Sequence, residues 1–286
     1  MSYYDLPLLK SPVWTWEVPA YFFVGGAAGA AAVVAAAARA AGANPALVRD
    51  ARWIAAAGGA LSPALLISDL GRPERFLNML RVFKMQSPMS VGAWTLVAFS
   101  NAAGASAFAA TAHRALGGRL PVKVVGDAAE VVSAATGLVL STYTGVLIGA
   151  TAVPVWSRNV SLLPIHFGAS GVGAAVSMLE LMGHRDRALN AIAIGAAATE
   201  TAVGLVLESR GDPALDPLKQ GWSGSVTRAG GLLSGPIPLA LRVLAGRSIA
   251  ARRIAAASTI AGSLLTRIGW LAAGRSSAGS PGASPD

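Results

Sequence analysis

The sequence predicts an all-α integral membrane protein with eight transmembrane helices, arranged as two four-helix bundles. Three observations lead there. Of the 286 residues, 53% are apolar and 13% charged, against the roughly 25% charged residues of a soluble domain. The 33 glycines suit membrane helices, whose backbones approach closely where side chains are small. Apolar runs of about 20 residues recur along the chain, the length that crosses a core of about 30 Å at about 1.5 Å per residue.

The first span, 16–38, opens with Trp14, Trp16 and Tyr21 close together and continues in Ala, Gly and Val. Residues 1–10 lack a basic stretch ahead of a short apolar core, so no signal peptide is expected there. The second span is 51–70. The link 71–89 carries Phe76, Leu77, Leu80 and Phe83 at helical spacing among Arg75, Arg81 and Lys84, which predicts an amphipathic helix lying at the interface. Spans three to six are 90–112, 131–156, 160–179 and 188–207. Pro236, Pro238 and Arg242 interrupt the seventh, 229–246; it is kept because neighbouring helices can satisfy carbonyls that a proline frees. The eighth is 254–273. Residues 1–275 thus form one membrane domain. The Ser/Gly/Pro-rich tail 276–286 is expected to be disordered.

The net charge of +9 does not predict a nucleic-acid partner, because the basic residues sit in short clusters between apolar runs, where they set topology. With eight spans, twelve Lys and Arg fall opposite the termini and ten on the terminal side, which predicts both termini outside. Eight of the fourteen acids share the terminal side, giving a mixed polar face suited to docking another protein. The chain has no cysteine, which excludes an iron–sulfur cluster on this chain, Cys-based zinc sites and disulfides. Bis-imidazole haem needs histidines paired at matched depth. Only His166 falls inside a span, with His113 and His184 at helix ends, so haem and other metal sites are not expected.

Ionisable groups inside a bilayer are costly and mark function by default. Glu130, Glu180 and Glu200 are candidate steps of a proton path. Glu130 and Glu180 fall near helix ends, where they can equally reach headgroup water. Glu200 and Arg267 each fall about 20 Å into their helices, so a buried ion pair between them competes with a relay. Asp69 reads both as a functional acid and as part of a helix stop with a local Arg72 pair. Trp14 and Trp156 fit an interfacial belt. Glu17 beside Trp16 does not, nor does Tyr143, which counts about 20 Å below Trp156 along a straight helix. A phenol at that depth needs a hydrogen-bond partner or a ligand, and a quinone, with two accepting carbonyls and an apolar ring and tail, is one such ligand.

Four segments carry a resemblance: Pro12-Val-Trp-Thr-Trp-Glu-Val-Pro-Ala-Tyr-Phe-Phe-Val-Gly-Gly26, Ser68-Asp-Leu-Gly-Arg-Pro-Glu-Arg-Phe76, Ser141-Thr-Tyr-Thr-Gly145 and Arg267-Ile-Gly-Trp-Leu-Ala-Ala-Gly-Arg-Ser-Ser-Ala278. They resemble the NrfD family, the membrane subunits of polysulfide reductase and related respiratory complexes. The resemblance implies a haem-free subunit of a bacterial inner (cytoplasmic) membrane complex. Such a subunit exchanges electrons between quinone, menaquinone or ubiquinone, and an iron–sulfur partner, usually beside a molybdopterin catalytic subunit. It implies a quinone site at Tyr143, Glu17, Tyr21, Asp69 and Arg72, although the Asn and His that relatives carry near the first-helix positions are missing here. Arg75, Arg81 and Lys84 would face the iron–sulfur partner, or else anionic headgroups of membrane lipid. An ion-coupled transporter, suggested by Glu200 and the broken seventh span, and a passive membrane anchor are the competing readings.

Overall fold

The computed structural model describes residues 9–72, 74–115 and 120–279. The long helices are α1 (Glu17–Ala40), α2 (Pro45–Asp69), α4 (Pro88–Ala115), α5 (Leu120–Gly149), α7 (Leu162–Leu181), α8 (Arg187–Ser209) and α12 (Ile249–Ala278). Shorter ones fill the joints: α3 (Glu74–Met79), α6 (Pro154–Ser157), α9 (Asp216–Lys219), α10 (Gly221–Ser234) and α11 (Pro236–Ala245). Local chemistry marks the boundaries. Asn44 caps α2 by accepting from the Ala46 amide at 2.9 Å, with Pro45 in the first turn, where a missing N–H costs nothing. Glu17 opens α1 and Arg39 closes it, each matched to the helix dipole.

The chain is a multi-pass integral membrane protein, but among the described residues six helices, not eight, are long and apolar enough to cross a membrane: α1, α2, α5, α7, α8 and α12. The third expected span forms as α4, 28 residues long. It falls short because Thr95, Ser100, Asn101 and Ser106 dilute its apolar run. The seventh is divided at Gly235 (φ −106°, ψ −99°) into α10, of 14 residues, and α11, of 10, each too short to span. Pro236 opens α11, and the residue before a proline is pushed away from helical backbone.

Two separate four-helix bundles are not formed either. Helix α1 packs on α2, α5, α7 and α12, and one core runs from Val18 through Phe99 and Phe167 to Trp270 and Ala278. Small residues set this contact: a Cβ at Gly29 would strike the Gly137 backbone of α5, and one at Gly171 of α7 would strike Gly26. Backbone touches backbone at these crossings, as in tightly packed membrane helices. Helix α12 continues through Ala278, so the start of the expected disordered tail is helical; residues 280–286 lie outside the described residues.

One end of the assembly gathers the start of α1, the ends of α2 and α5, the start of α4 and the end of α12. Thr15 bonds Asp69, Tyr143 bonds Pro88, and Arg275 contacts the Trp14 carbonyl. At the same end Glu208 of α8 holds Arg228 of α10 through two nitrogens at 2.7 and 3.1 Å. That carboxylate raises the Arg228 guanidinium above its usual pKa.

Candidate functional site

The gathered end joins two of the expected quinone-site residues, Asp69 and Glu17, through Thr15 and buries two more, Tyr21 and Tyr143. Thr15, just ahead of α1, donates its amide to Asp69 Oδ1 at 3.2 Å, and its hydroxyl lies 2.7 Å from the same oxygen. That hydroxyl also touches Glu17 Oε2. A hydroxyl has one proton, so Thr15 stands between two half-buried carboxylates that compete for it. One turn along α1, on Glu17's face, Tyr21 is 3% exposed. Tyr143 on α5, a helix packed against α1, is 6% exposed.

Tyr143 donates its hydroxyl proton to the Pro88 carbonyl at 2.6 Å. A carbonyl only accepts, so the proton is committed there and the phenol oxygen keeps its acceptor capacity. Gly92, one turn into α4, makes room for the ring: any Cβ there would overlap it. Beside this joint lies an open cavity of about 400 Å³ whose lining includes Asn78, Met79, Arg81, Lys84, Met89 and Ser90. Ser90 folds its rim by donating to the Val82 carbonyl and accepting from the Lys84 amide.

Several expectations change here. Tyr143 is not 20 Å deep. Helix α5 ends at Gly149 and Trp156 belongs to the separate turn α6, so the phenol lies only about 9 Å along the helix from its end. Asp69 pairs with Thr15 rather than with Arg72, which is exposed. Trp156 is not an interfacial belt residue: it is fully buried, donates to the Trp270 carbonyl at 2.9 Å, and stacks on Trp14 with centroids 5.6 Å apart. The interface helix covers only Glu74–Met79; Phe76 is buried, while Leu77 and Phe83 are exposed and Leu80 is in a turn. Arg75, Arg81 and Lys84 are exposed, Arg75 resting 3.4 Å from the Leu70 carbonyl.

The three candidate proton-path acids occupy different surroundings. Glu130 is 1% exposed and held by Arg39 and by Arg52 at 2.9 Å. Glu180 is held by Arg242 at 2.6 Å and by Arg252. Glu200 and Arg267 do not form the expected ion pair. The Arg267 guanidinium is fully buried and donates to Ser170 Oγ at 2.6 Å, Ser263 O at 2.9 Å, Phe167 O at 3.1 Å and Phe22 O at 3.2 Å. Glu200 instead meets His166 Nε2 at 3.2 Å and Ser234 Oγ at 2.6 Å. His166 Nδ1 accepts from Trp270 Nε1 at 3.2 Å. Sequence reasoning singled out His166 as the lone histidine within a span but could not assign it this partner; Thr15, Pro88, Ser234 and Trp270 carried no signal of their roles.

Among the described residues, no group of three or more His, Cys, Asp or Glu could hold a metal ion. A family model described as Polysulphide reductase, NrfD matches residues 8–199, about two thirds of the chain. No curated protein matches it.

Proposed function

The chain belongs to the NrfD family of membrane oxidoreductase subunits, and from that premise we propose that it exchanges electrons between the quinone pool and an iron–sulfur subunit docked at the gathered end. A molybdopterin catalytic subunit would complete the complex. The observation that carries this reading is the Tyr143–Pro88 contact at the end where Asp69 and Glu17 share Thr15. A quinol has two hydroxyl donors and an apolar ring. Tyr143, its own proton committed to Pro88, offers it an acceptor among apolar neighbours, and the Glu17 and Asp69 carboxylates at the same end can take up a released proton.

The residues present fit such a ligand. Tyr143 and Tyr21 supply buried phenols, and Asp69 and Glu17 supply acids. Arg72, Arg75, Arg81 and Lys84 give this end four exposed cations for the acids of a partner. The expected location is the bacterial inner membrane with this end outside. Because the chain supplies no thiolate, electrons cross to a cluster held by the partner.

The test is quinol binding and oxidation by the purified complex carrying Tyr143→Phe. One hydrogen bond to a neutral ligand is worth about 0.5–1.5 kcal/mol, so affinity should fall roughly 2- to 12-fold with the complex intact. Unchanged affinity and turnover would remove Tyr143 from the site.

A further inference from the structure

Outside the quinone site, one buried cluster among the described residues holds its acid without a direct arginine contact. It joins His166 of α7, Glu200 of α8, Ser234 at the end of α10 and Trp270 of α12, all buried. Three of these four residues lie beyond the segment that the family model matches. The cluster's hydrogen bonds run among α7, α8, α10 and α12, whereas those of the Tyr143 site run among α2, α4, α5 and the start of α1.

The contacts around Glu200 tolerate either of its protonation states without moving a heavy atom. With Glu200 ionised, Ser234 donates to Oε2 at 2.6 Å. With Glu200 protonated, the carboxyl donates to Ser234 Oγ, which turns its own proton to the Gly230 carbonyl at 2.9 Å. Oε1 is buried and has no hydrogen-bond partner, so nothing holds the carboxylate's second oxygen in the ionised state. Trp270 sets the third contact. An indole N–H only donates, so Nδ1 of His166 must be unprotonated, and the ring faces Glu200 as a neutral Nε2–H donor. His166 therefore does not hold Glu200 as an ion pair would.

Glu130 and Glu180 differ in kind. Each lies between two guanidiniums, which only donate, and a protonated carboxyl there would set O–H against N–H. The titratable or charged groups facing Glu200 are His166 from α7 and Arg267 from α12, the latter acting through space; α10 contributes the hydroxyl of Ser234. Helix α11 brings Arg242, which is occupied by Glu180 and Asn190.

We propose that Glu200, cradled by His166 and Ser234, is a proton-binding site within the helix assembly, distinct from the quinone site and the one intramembrane acid of the three that gains and loses a proton. The step is simple: a proton from water adds to the carboxylate, the Ser234 hydroxyl reverses, and the Arg267 charge loses its counter-charge. Its release reverses all three. Trp270 keeps His166 neutral, so that the imidazole does not lock Glu200 in its ionised form. This inference does not depend on quinone binding.

Infrared difference spectra of the full chain in membranes, recorded against pH, read the carboxyl C=O band directly. Wild type should show one titrating buried carboxyl. Glu200→Gln should abolish it, and Glu180→Gln and Glu130→Gln should leave it in place. Trp270→Phe should move its midpoint down by about one pH unit or more, a tenfold loss of proton affinity, because His166 can then take a second proton and hold Glu200 ionised. Should Glu200→Gln fail to fold, the Trp270→Phe midpoint carries the test alone. A titrating band that survives Glu200→Gln, or a midpoint that Trp270→Phe leaves in place, would overturn the proposal.

Discussion

Tyr143 on α5 and Pro88 at the start of α4 are joined by a 2.6 Å hydrogen bond in which the phenol donates and the carbonyl accepts. That bond fixes the ring over Gly92, the only residue type that leaves room for it, since any Cβ would overlap the ring. The position of the phenol thus depends on the missing side chain at Gly92.

Gly92→Ala is the first prediction. The added methyl must push the ring off Pro88, and overpacking of this kind costs about 1–3 kcal/mol. Quinol affinity should fall at least as far as in Tyr143→Phe, with the thermal midpoint of the purified complex lowered. Unchanged affinity would mean that the ring's place does not matter for binding.

The arginine clamp on Glu180 gives the second. Arg242 is fully buried at its side chain and Arg252 is partly buried. Glu180→Gln leaves two guanidiniums facing each other without an anion, and breaking a buried pair costs about 3–5 kcal/mol. Thermal unfolding should show a large loss, and Glu180→Gln/Arg242→Gln should recover part of it. A stable Glu180→Gln variant would show that the clamp is solvated.

Much of this architecture is legible in the sequence, and what is not has physical causes. Apolar run length finds all six spans. It also proposes two more, because the polar residues of α4 and the prolines near Gly235 weigh little against the length of the apolar run around them. Pro154 was a readable signal: the residue before a proline resists helical backbone, so the fourth span had to end before Trp156, and Tyr143 had to lie near the helix end. The Asp69 and Tyr143 motifs fold to one end of the molecule. Which helices touch is another matter. Glu200 and Arg267 sit at similar counted depths, yet the partner is His166, because α7 and α10 present their polar groups to α8 while Arg267 is consumed by carbonyls and hydroxyls of α1 and α7. Helix counting gives depth along an axis and is silent on rotation about it.

The glycine crossing supplies the third prediction. Gly29→Leu forces α1 away from the Gly137 backbone and should destabilise the chain by more than the about 1–3 kcal/mol of ordinary overpacking, since backbone rather than a side chain must move. Gly104→Ala, where a Cβ meets nothing within 4 Å, is the matched control and should be neutral in the same thermal scan. Equal stability of the two variants would contradict close packing at this crossing.

A fourth concerns the exposed cations. Arg75→Glu/Arg81→Glu should release the iron–sulfur partner while the helices remain inserted, seen as loss of co-purification at physiological salt with unchanged membrane extraction. If the complex survives, the partner docks elsewhere.

The central claim is that quinone binds where Tyr143, Tyr21 and the Asp69–Thr15–Glu17 contacts meet. Photo-crosslinking of the intact complex with an azido-quinone, followed by peptide mapping, tests it most directly. The account predicts label on the peptides holding Tyr21, Met89 or Tyr143, competed away by unlabelled quinone and reduced by Gly92→Ala. Competable label confined to α8, α10 or α11 would contradict it.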